Sequence, residues 1–184
     1  MDLVNTLEER PSDAPIENLP NYSALLSFTE LAGLIEPSAA ERLRSLRGPP
    51  CARVARRVRK LREHLYAILS AHQVGRLVPQ RSLDAIAVEV RSAHFARAFT
   101  STGASNAIRH YWVSPDLPEL PLHACALAVE ALLVSADHNR IRKCGAADCE
   151  VHFVDTSKAH RRQWCSMRNC GNREKQRRWR SGAA

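Results

Sequence analysis

Four of the six cysteines fall between residues 144 and 170, and their spacing constrains this chain more than any other feature. Cys144 and Cys149 enclose four residues, Cys165 and Cys170 enclose four more, and fifteen residues separate the two pairs. Two short Cys loops held apart by a hairpin-length insert bring four thiolates to one point, the ligand set of a closed tetrahedral zinc site. The competing arrangements are two disulfides or four ordinary buried thiols. Disulfides need an oxidising compartment. Met1-Asp2 is followed by no charged-then-apolar leader, so the expectation is a cytoplasmic chain with reduced thiols. A segment of this size also buries too little apolar surface to fold unaided, and a metal supplies what a core cannot. His152 and His160 lie between the pairs, but four cysteines already complete the tetrahedron. The reading is one structural zinc ion with no open catalytic position.

The residues around the second pair, Trp164-Cys165-Ser166-Met167 followed by Cys170-Gly171-Asn172-Arg173, resemble the signature of the CGNR zinc fingers. Asp2-Leu3-Val4-Asn5-Thr6 resembles the start of the ABATE domain that precedes the finger in that family. The likeness is tight at the finger and loose between residues 10 and 135. It implies a mostly helical N-terminal region closed by the finger, in a stress-induced transcription regulator that binds DNA. Lys158-Ala159-His160 departs from the arginine-rich turn expected there.

Charge divides the chain at the same place. Residues 1–139 hold fifteen basic and fifteen acidic positions, whereas 140–184 hold twelve basic and four acidic, so the whole net charge of +8 belongs to the finger and its flanks. A polyanion would meet that end first. The apolar run from Cys125 to Val134 is too short for a membrane span and is interrupted by Glu130, so no membrane role is expected. The expected domains are 1–139, helical with a small β-hairpin, and 140–184, a small α+β zinc module of zinc-ribbon or treble-clef outline. The fold class is mainly α.

In chain order, Leu3, Val4 and Leu7 fit a short amphipathic helix, and Pro11, Pro15 and Pro20 then enforce an extended connector. Asn5 and Thr6 could line a ligand pocket, although local capping and hydrogen bonding account for both. Helical spacing runs from Ser23 to Ile35 with Gly33 as terminator, and Ser38 with Glu41 forms a capping box for a helix that Gly48-Pro49-Pro50 ends. The strongest helix covers Ala52 to His72, with Val54, Val58, Leu61, Leu65, Ile68 and Leu69 on one stripe. Its other side carries Arg53, Arg56, Arg57, Arg59, Lys60 and Arg62, read as a solvated face offset by acids such as Glu36 and Glu41.

A further helix holds Leu83, Ile86, Ala87 and Val90 and should end near Ser92. Residues 94–99 and 107–113 then read as a hairpin across Thr100–Asn106 with Gly103, its apolar face packed on the helices. His94 and His110 flank it as structural residues. Trp112 is a loose ligand-binding candidate beside Asn5 and Thr6. The last helix of the domain places Leu120, Ala124, Leu127, Ala131 and Val134 on one stripe, and only Asp137–Arg140 separates it from the finger. Cys51 and Cys125 read as ordinary thiols.

Within the finger, Val151 and Phe153 form one strand, Arg161–Trp164 returns as the second, and Ser166 caps a helix running from about Cys170 through Arg180. Gly171 is expected to let backbone N–H groups approach a thiolate. Arg173, Arg177 and Arg180 share one stripe of that helix, exposed if Trp179 packs inward. With Lys158, Arg161, Arg162, Arg168, Asn172, Lys175 and Arg178 they make a cationic surface suited to phosphates and base edges. The expected partner is DNA, with the helical region reading a small-molecule effector or forming a homodimer. The alternatives are an adaptor for an acidic protein and an RNA-binding module. No nucleophile-and-base, HExxH, phosphate-loop or paired-carboxylate arrangement stands out, so the chain is not expected to be an enzyme.

Overall fold

In a computed structural model of the chain, residues 1–10, 12–102 and 107–182 are described; Pro11 and Gly103, which carried parts of the connector and hairpin-turn readings, lie outside them. A 3-10 turn over Asp2–Thr6 leads into a two-residue antiparallel ladder, β1 (Leu7–Glu8) with β2 (Ile16–Glu17), where an extended connector was expected. Helices α1 (Tyr22–Leu31), α2 (Pro37–Leu43), α3 (Pro49–Gln73), α4 (Gln80–Phe95) and α5 (Leu120–Val134) build the body. Between α4 and α5 stands the hairpin of β3 (Arg97–Thr102) and β4 (Ala107–Trp112). The C-terminal module consists of β5 (Ile141–Lys143), β6 (His152–Val154), a π turn over Met167–Gly171 and α6 (Asn172–Arg180).

The centre of the molecule is α3. Val54, Val58, Leu61, Leu65, Ile68 and Leu69 are buried along its length against α1, α4 and α5, as the stripe requires. Its start differs from expectation. Pro49 and Pro50 occupy its first turn, where a missing N–H costs nothing, and Gly48 before them takes φ +92°. Proline therefore opens this helix rather than closing the previous one. The same geometry displaces the Ser38 capping box: α2 begins at Pro37, so Ser38 already lies inside the helix and caps nothing. The α1 ending is as read, with Gly33 at φ +67° after the last turn.

Three further readings are corrected. The α4 helix runs past Ser92 to Phe95, so His94 sits in its last turn and its Nε2 meets Glu130 at 2.8 Å, while His110 packs on the Phe99 ring. The hairpin does not bury an apolar face, since Phe99 and Ile108 are 70% and 74% exposed. On α5 the buried set is Leu120, Pro121, Leu122, Ala124, Cys125, Ala126 and Val129, with Val134 in solvent. That helix is apolar nearly all round, so periodicity could not choose its inner side.

The cations of α3 are likewise not one solvated face. Arg62 is 3% exposed and forks onto Glu17 at 2.7 and 2.8 Å, with Nε to Glu63 at 2.8 Å. Arg57 pairs with Glu89 at 2.6 Å, and Arg59 donates to the carbonyls of Leu19 and Pro20. Glu41 meets Arg44 instead, and Glu36 forms no ion pair among the described residues. No helix among the described residues is long and apolar enough to cross a membrane.

Candidate metal centre and nucleic-acid surface

The strand partner in the finger is β5, not Arg161–Trp164. Ile141 pairs with Val154, Arg142 with Phe153 and Lys143 with His152. Residues 161–164 instead form an irregular return segment, joined to the first knuckle where the Gly145 N–H donates to the Gln163 carbonyl at 2.8 Å. What shapes the insert is Asp155, fully buried, which accepts from the Ser157 hydroxyl at 2.6 Å, the Ser157 N–H at 2.9 Å and the Arg162 N–H at 2.9 Å. The Ser157 hydroxyl foremost, with the two N–H groups, holds the Asp155 carboxyl down at about 2.

This frame brings the Sγ atoms of Cys144, Cys149, Cys165 and Cys170 to within 4.8 Å of one another. Cys149 to Cys165 is 3.8 Å and Cys165 to Cys170 is 3.6 Å. A zinc–sulfur bond of about 2.3 Å gives a regular tetrahedron an edge of about 3.8 Å, so the spacing suits zinc held by four thiolates. The backbone is arranged for negative sulfur. Burial resists ionisation of Cys144, but the N–H groups of Cys165 and Ala146 outweigh it and lower its pKa. Cys149 is pushed up to about 11, first by burial and then by its neighbour Cys144, and Cys165 is raised first by burial and then by its neighbours Cys170 and Cys144. Four thiolates at this spacing therefore need a cation among them.

Gly171 does not supply a thiolate donor; its N–H bonds the Ser166 carbonyl. Its missing Cβ makes room for Met167, whose Sδ would stand 2.8 Å from such an atom. Ser166 caps as expected, with Oγ accepting from the Asn169 N–H at 3.3 Å.

Residues 140–182 match the CGNR zinc finger, and residues 1–136 match the ABATE domain, described as "Putative stress-induced transcription regulator". The chain belongs to the ABATE family and carries a CGNR finger. No curated protein matches it.

In this ABATE protein the finger is set into the helical body. Ile141 is part of the main core, and Val154 packs on that core. Asn5 clamps β6: its Nδ2 donates to the His152 carbonyl at 2.9 Å and its Oδ1 accepts the His152 N–H at 3.0 Å. Tyr66 of α3 donates to Glu150 at 2.8 Å, Glu150 pairs with Lys143 at 2.5 Å, and Gln73 accepts the Lys143 N–H. The His152 ring is 1% exposed, edge-on to Tyr66, and burial foremost lowers its pKa. His160 is exposed, with Nδ1 near the Asp155 carbonyl.

The three effector candidates are thus engaged inside the protein. The Asn5 amide is used by the His152 backbone N–H and carbonyl. Thr6 donates to the Leu3 carbonyl at 2.7 Å and accepts from Arg62, and Trp112 lies between Arg97 and His123.

The cationic candidates separate into two groups. Arg173 reaches Asp148 at 2.8 Å and the Cys170 sulfur at 3.4 Å, and Arg177 pairs with Asp148 and Glu174. Arg162 lies over the Phe153 ring and donates to the carbonyls of Trp164 and Cys165. Asn172 bonds back to the Arg168 carbonyl. These side chains hold the finger together. Lys158, Arg161, Arg168, Lys175, Arg178 and Arg180 are exposed, and no carboxylate pairs with them among the described residues. Trp179 does not pack inward; it is 84% exposed, on the side of α6 that also carries Lys175 and Gln176.

Proposed function

We propose that this protein is a DNA-binding transcription regulator whose zinc finger contacts duplex DNA and whose helical body receives a signal. The observation that carries the reading is the set Lys158, Arg161, Arg168, Lys175, Arg178 and Arg180, exposed and without a carboxylate partner among the described residues, on one metal-stapled module. Cations left without carboxylates on a rigid support are what a phosphate backbone neutralises. The outward side of α6 adds Gln176, able to read a base edge, and Trp179, able to press on sugar or base. We read the chain as non-enzymatic, because cysteine sulfurs supply all four positions of the expected metal.

The test is duplex binding by the zinc-loaded chain across salt concentrations. If all six free cations meet phosphates, log affinity should fall against log salt with a slope of about −5, and Lys175→Glu/Arg178→Glu/Arg180→Glu should remove about 3 of it. Arg53→Glu/Lys60→Glu on α3 is the control and should change the slope little. Unchanged DNA affinity in the finger variant would move the assignment to an acidic protein partner, and preference for single strands or structured RNA would move it to RNA.

A further inference from the structure

A cleft of about 490 Å³ opens between the first turns of α1 and α3, and no Asp or Glu lines it. Its floor is Tyr22, Leu26, Cys51 and Ala55, all buried. Its rim carries Arg44, Arg47, Arg56 and Arg59. Among the described residues only Arg44 of these has carboxylate partners, Glu30 at 2.5 Å and Glu41 at 3.1 Å. Arg47 turns back onto the carbonyls of Arg44 and Leu46, Arg59 donates to those of Leu19 and Pro20, and Arg56 has no hydrogen bond or ion pair among the described residues. Other arginines of this body, Arg42 with Asp116, Arg57 with Glu89 and Arg62 with Glu17, are paired with acids. At this cleft three arginines without a carboxylate partner among the described residues converge over an apolar floor.

We propose that the cleft binds a small organic anion, a carboxylate or phosphate ester with an apolar body. Its volume lies in the range of small-molecule sites, which combine an apolar lining with a few placed charges. Arginine forks suit carboxylate and phosphate oxygens, and the positive ends of two helix dipoles face the same space. A duplex backbone presents phosphates on a convex surface and would leave the Tyr22 and Leu26 floor unfilled. The proposal deepens the sensing half of the regulator reading and does not require that the finger bind DNA.

The experiment uses the full zinc-loaded chain without DNA, titrated with 8-anilinonaphthalene-1-sulfonate and with N-phenyl-1-naphthylamine, which has a similar apolar body and no charge. The sulfonate should bind one to one, and Arg47→Gln/Arg56→Gln should weaken it at least tenfold while changing the neutral amine less than twofold. In the wild-type chain, amide resonances of Ser23, Gly48 and Ala52 should shift on saturation, a readout that needs no variant to fold. Shifts centred instead on the exposed hairpin at Phe99 and Ile108, equal weakening of both probes, or no saturable binding would overturn the proposal. A DNA arm separates the sources of anion. If a short duplex displaces the sulfonate and the double variant loses DNA affinity, the arginines hold the nucleic-acid backbone and the small-anion assignment is wrong. Loss of DNA binding confined to finger variants leaves it standing.

Discussion

Asn5→Ala should loosen the zinc module's hold on the helical body while leaving both folded. The Asn5 amide makes two hydrogen bonds to the backbone of one residue, at 2.9 and 3.0 Å, and that residue, His152, is 1% exposed. A buried backbone group left unsatisfied costs about 1–3 kcal/mol, so two would cost about 2–6. The cleft that Asn5 shares with Val151 and Glu150 lets water reach the vacated position, which brings the estimate to the lower part, about 2–4 kcal/mol. At about 1.4 kcal/mol per factor of ten, local opening should become roughly 30- to 700-fold more frequent. Native-state hydrogen exchange reads this directly. The amides of His152 and Val154 should speed up by that factor in zinc-loaded Asn5→Ala, and those of Leu61 and Leu65 in the middle of α3 should not. Asn5→Asp keeps the acceptor and loses the donor, so it should fall between. Acceleration under threefold, or an equal effect along α3, would refute the clamp.

Chelation should melt α6, which has no buried residue of its own, and return the Cys149 and Cys165 thiols to the protonated form, while circular dichroism of the helical body persists. Gly171→Ala should retain zinc and lose less than about 1 kcal/mol, because the atoms a Cβ would meet at 2.8 and 3.1 Å are the free end of the exposed Met167 side chain and φ there is already helical. Failure to hold zinc in that variant would show that the close approach is not relieved by Met167. Glu17→Ala should destabilise the helical body by about 3 kcal/mol in chemical denaturation, since it removes a forked partner from buried Arg62. Burial opposes ionisation of Glu17 and Glu63, but Arg62, with Arg10 on Glu63, outweighs it and both pKa values are lowered from 4.5. Their contribution is therefore complete above pH about 4.5 and is lost as pH falls below it, so the gap between wild type and Glu17→Ala should narrow on acidification. A gap that widens would contradict the ion-pair account.

The metal centre was legible because thiolate ligands come in short, fixed spacings, and the long helices because their apolar residues repeat. The failures have physical causes of their own. Pro49 and Pro50 are neutral between ending one helix and opening the next, and only the backbone at Gly48 decides it. Ile141–Lys143 drew no strand assignment because a three-residue ladder is shorter than any pattern window, yet it is the strand that joins finger to core. Asn5 drew attention as a polar residue beside apolar ones, but its partner is 147 residues away and is a peptide group, which leaves no trace in side-chain identity. Of the arginine stripe expected on α6, Arg173 and Arg177 turn to Asp148, and Arg173 also to the Cys170 sulfur, while Arg180 stays exposed. Periodicity identifies which residues share a face; it does not say what the face meets.

The arrangement around α3 makes the finger a fixed part of the body rather than a bead on a string. Ile141 lies in the main core, Asn5 grips β6, and Tyr66 and Gln73, seven residues apart on α3, hold Glu150 and the Lys143 N–H. Three anchors on separate elements remove the rotations that a four-residue linker would otherwise leave. The arginine-rimmed cleft opens near Cys51, fifteen residues before Tyr66 on the same unbroken helix, a distance of about 22 Å at 1.5 Å per residue. Between them Glu17 joins Arg62, Arg62 joins Glu63, Glu63 joins Arg10, and Arg10 lies 4.0 Å over the Tyr66 ring. Spatial continuity of this kind supplies a route and not a coupling energy, which exists only if an occupant of the cleft binds two states of α3 unequally. A helix braced by ion pairs along its middle, with the arginine-rimmed cleft at its start and the zinc module held at its end, is the element on which such a difference would act.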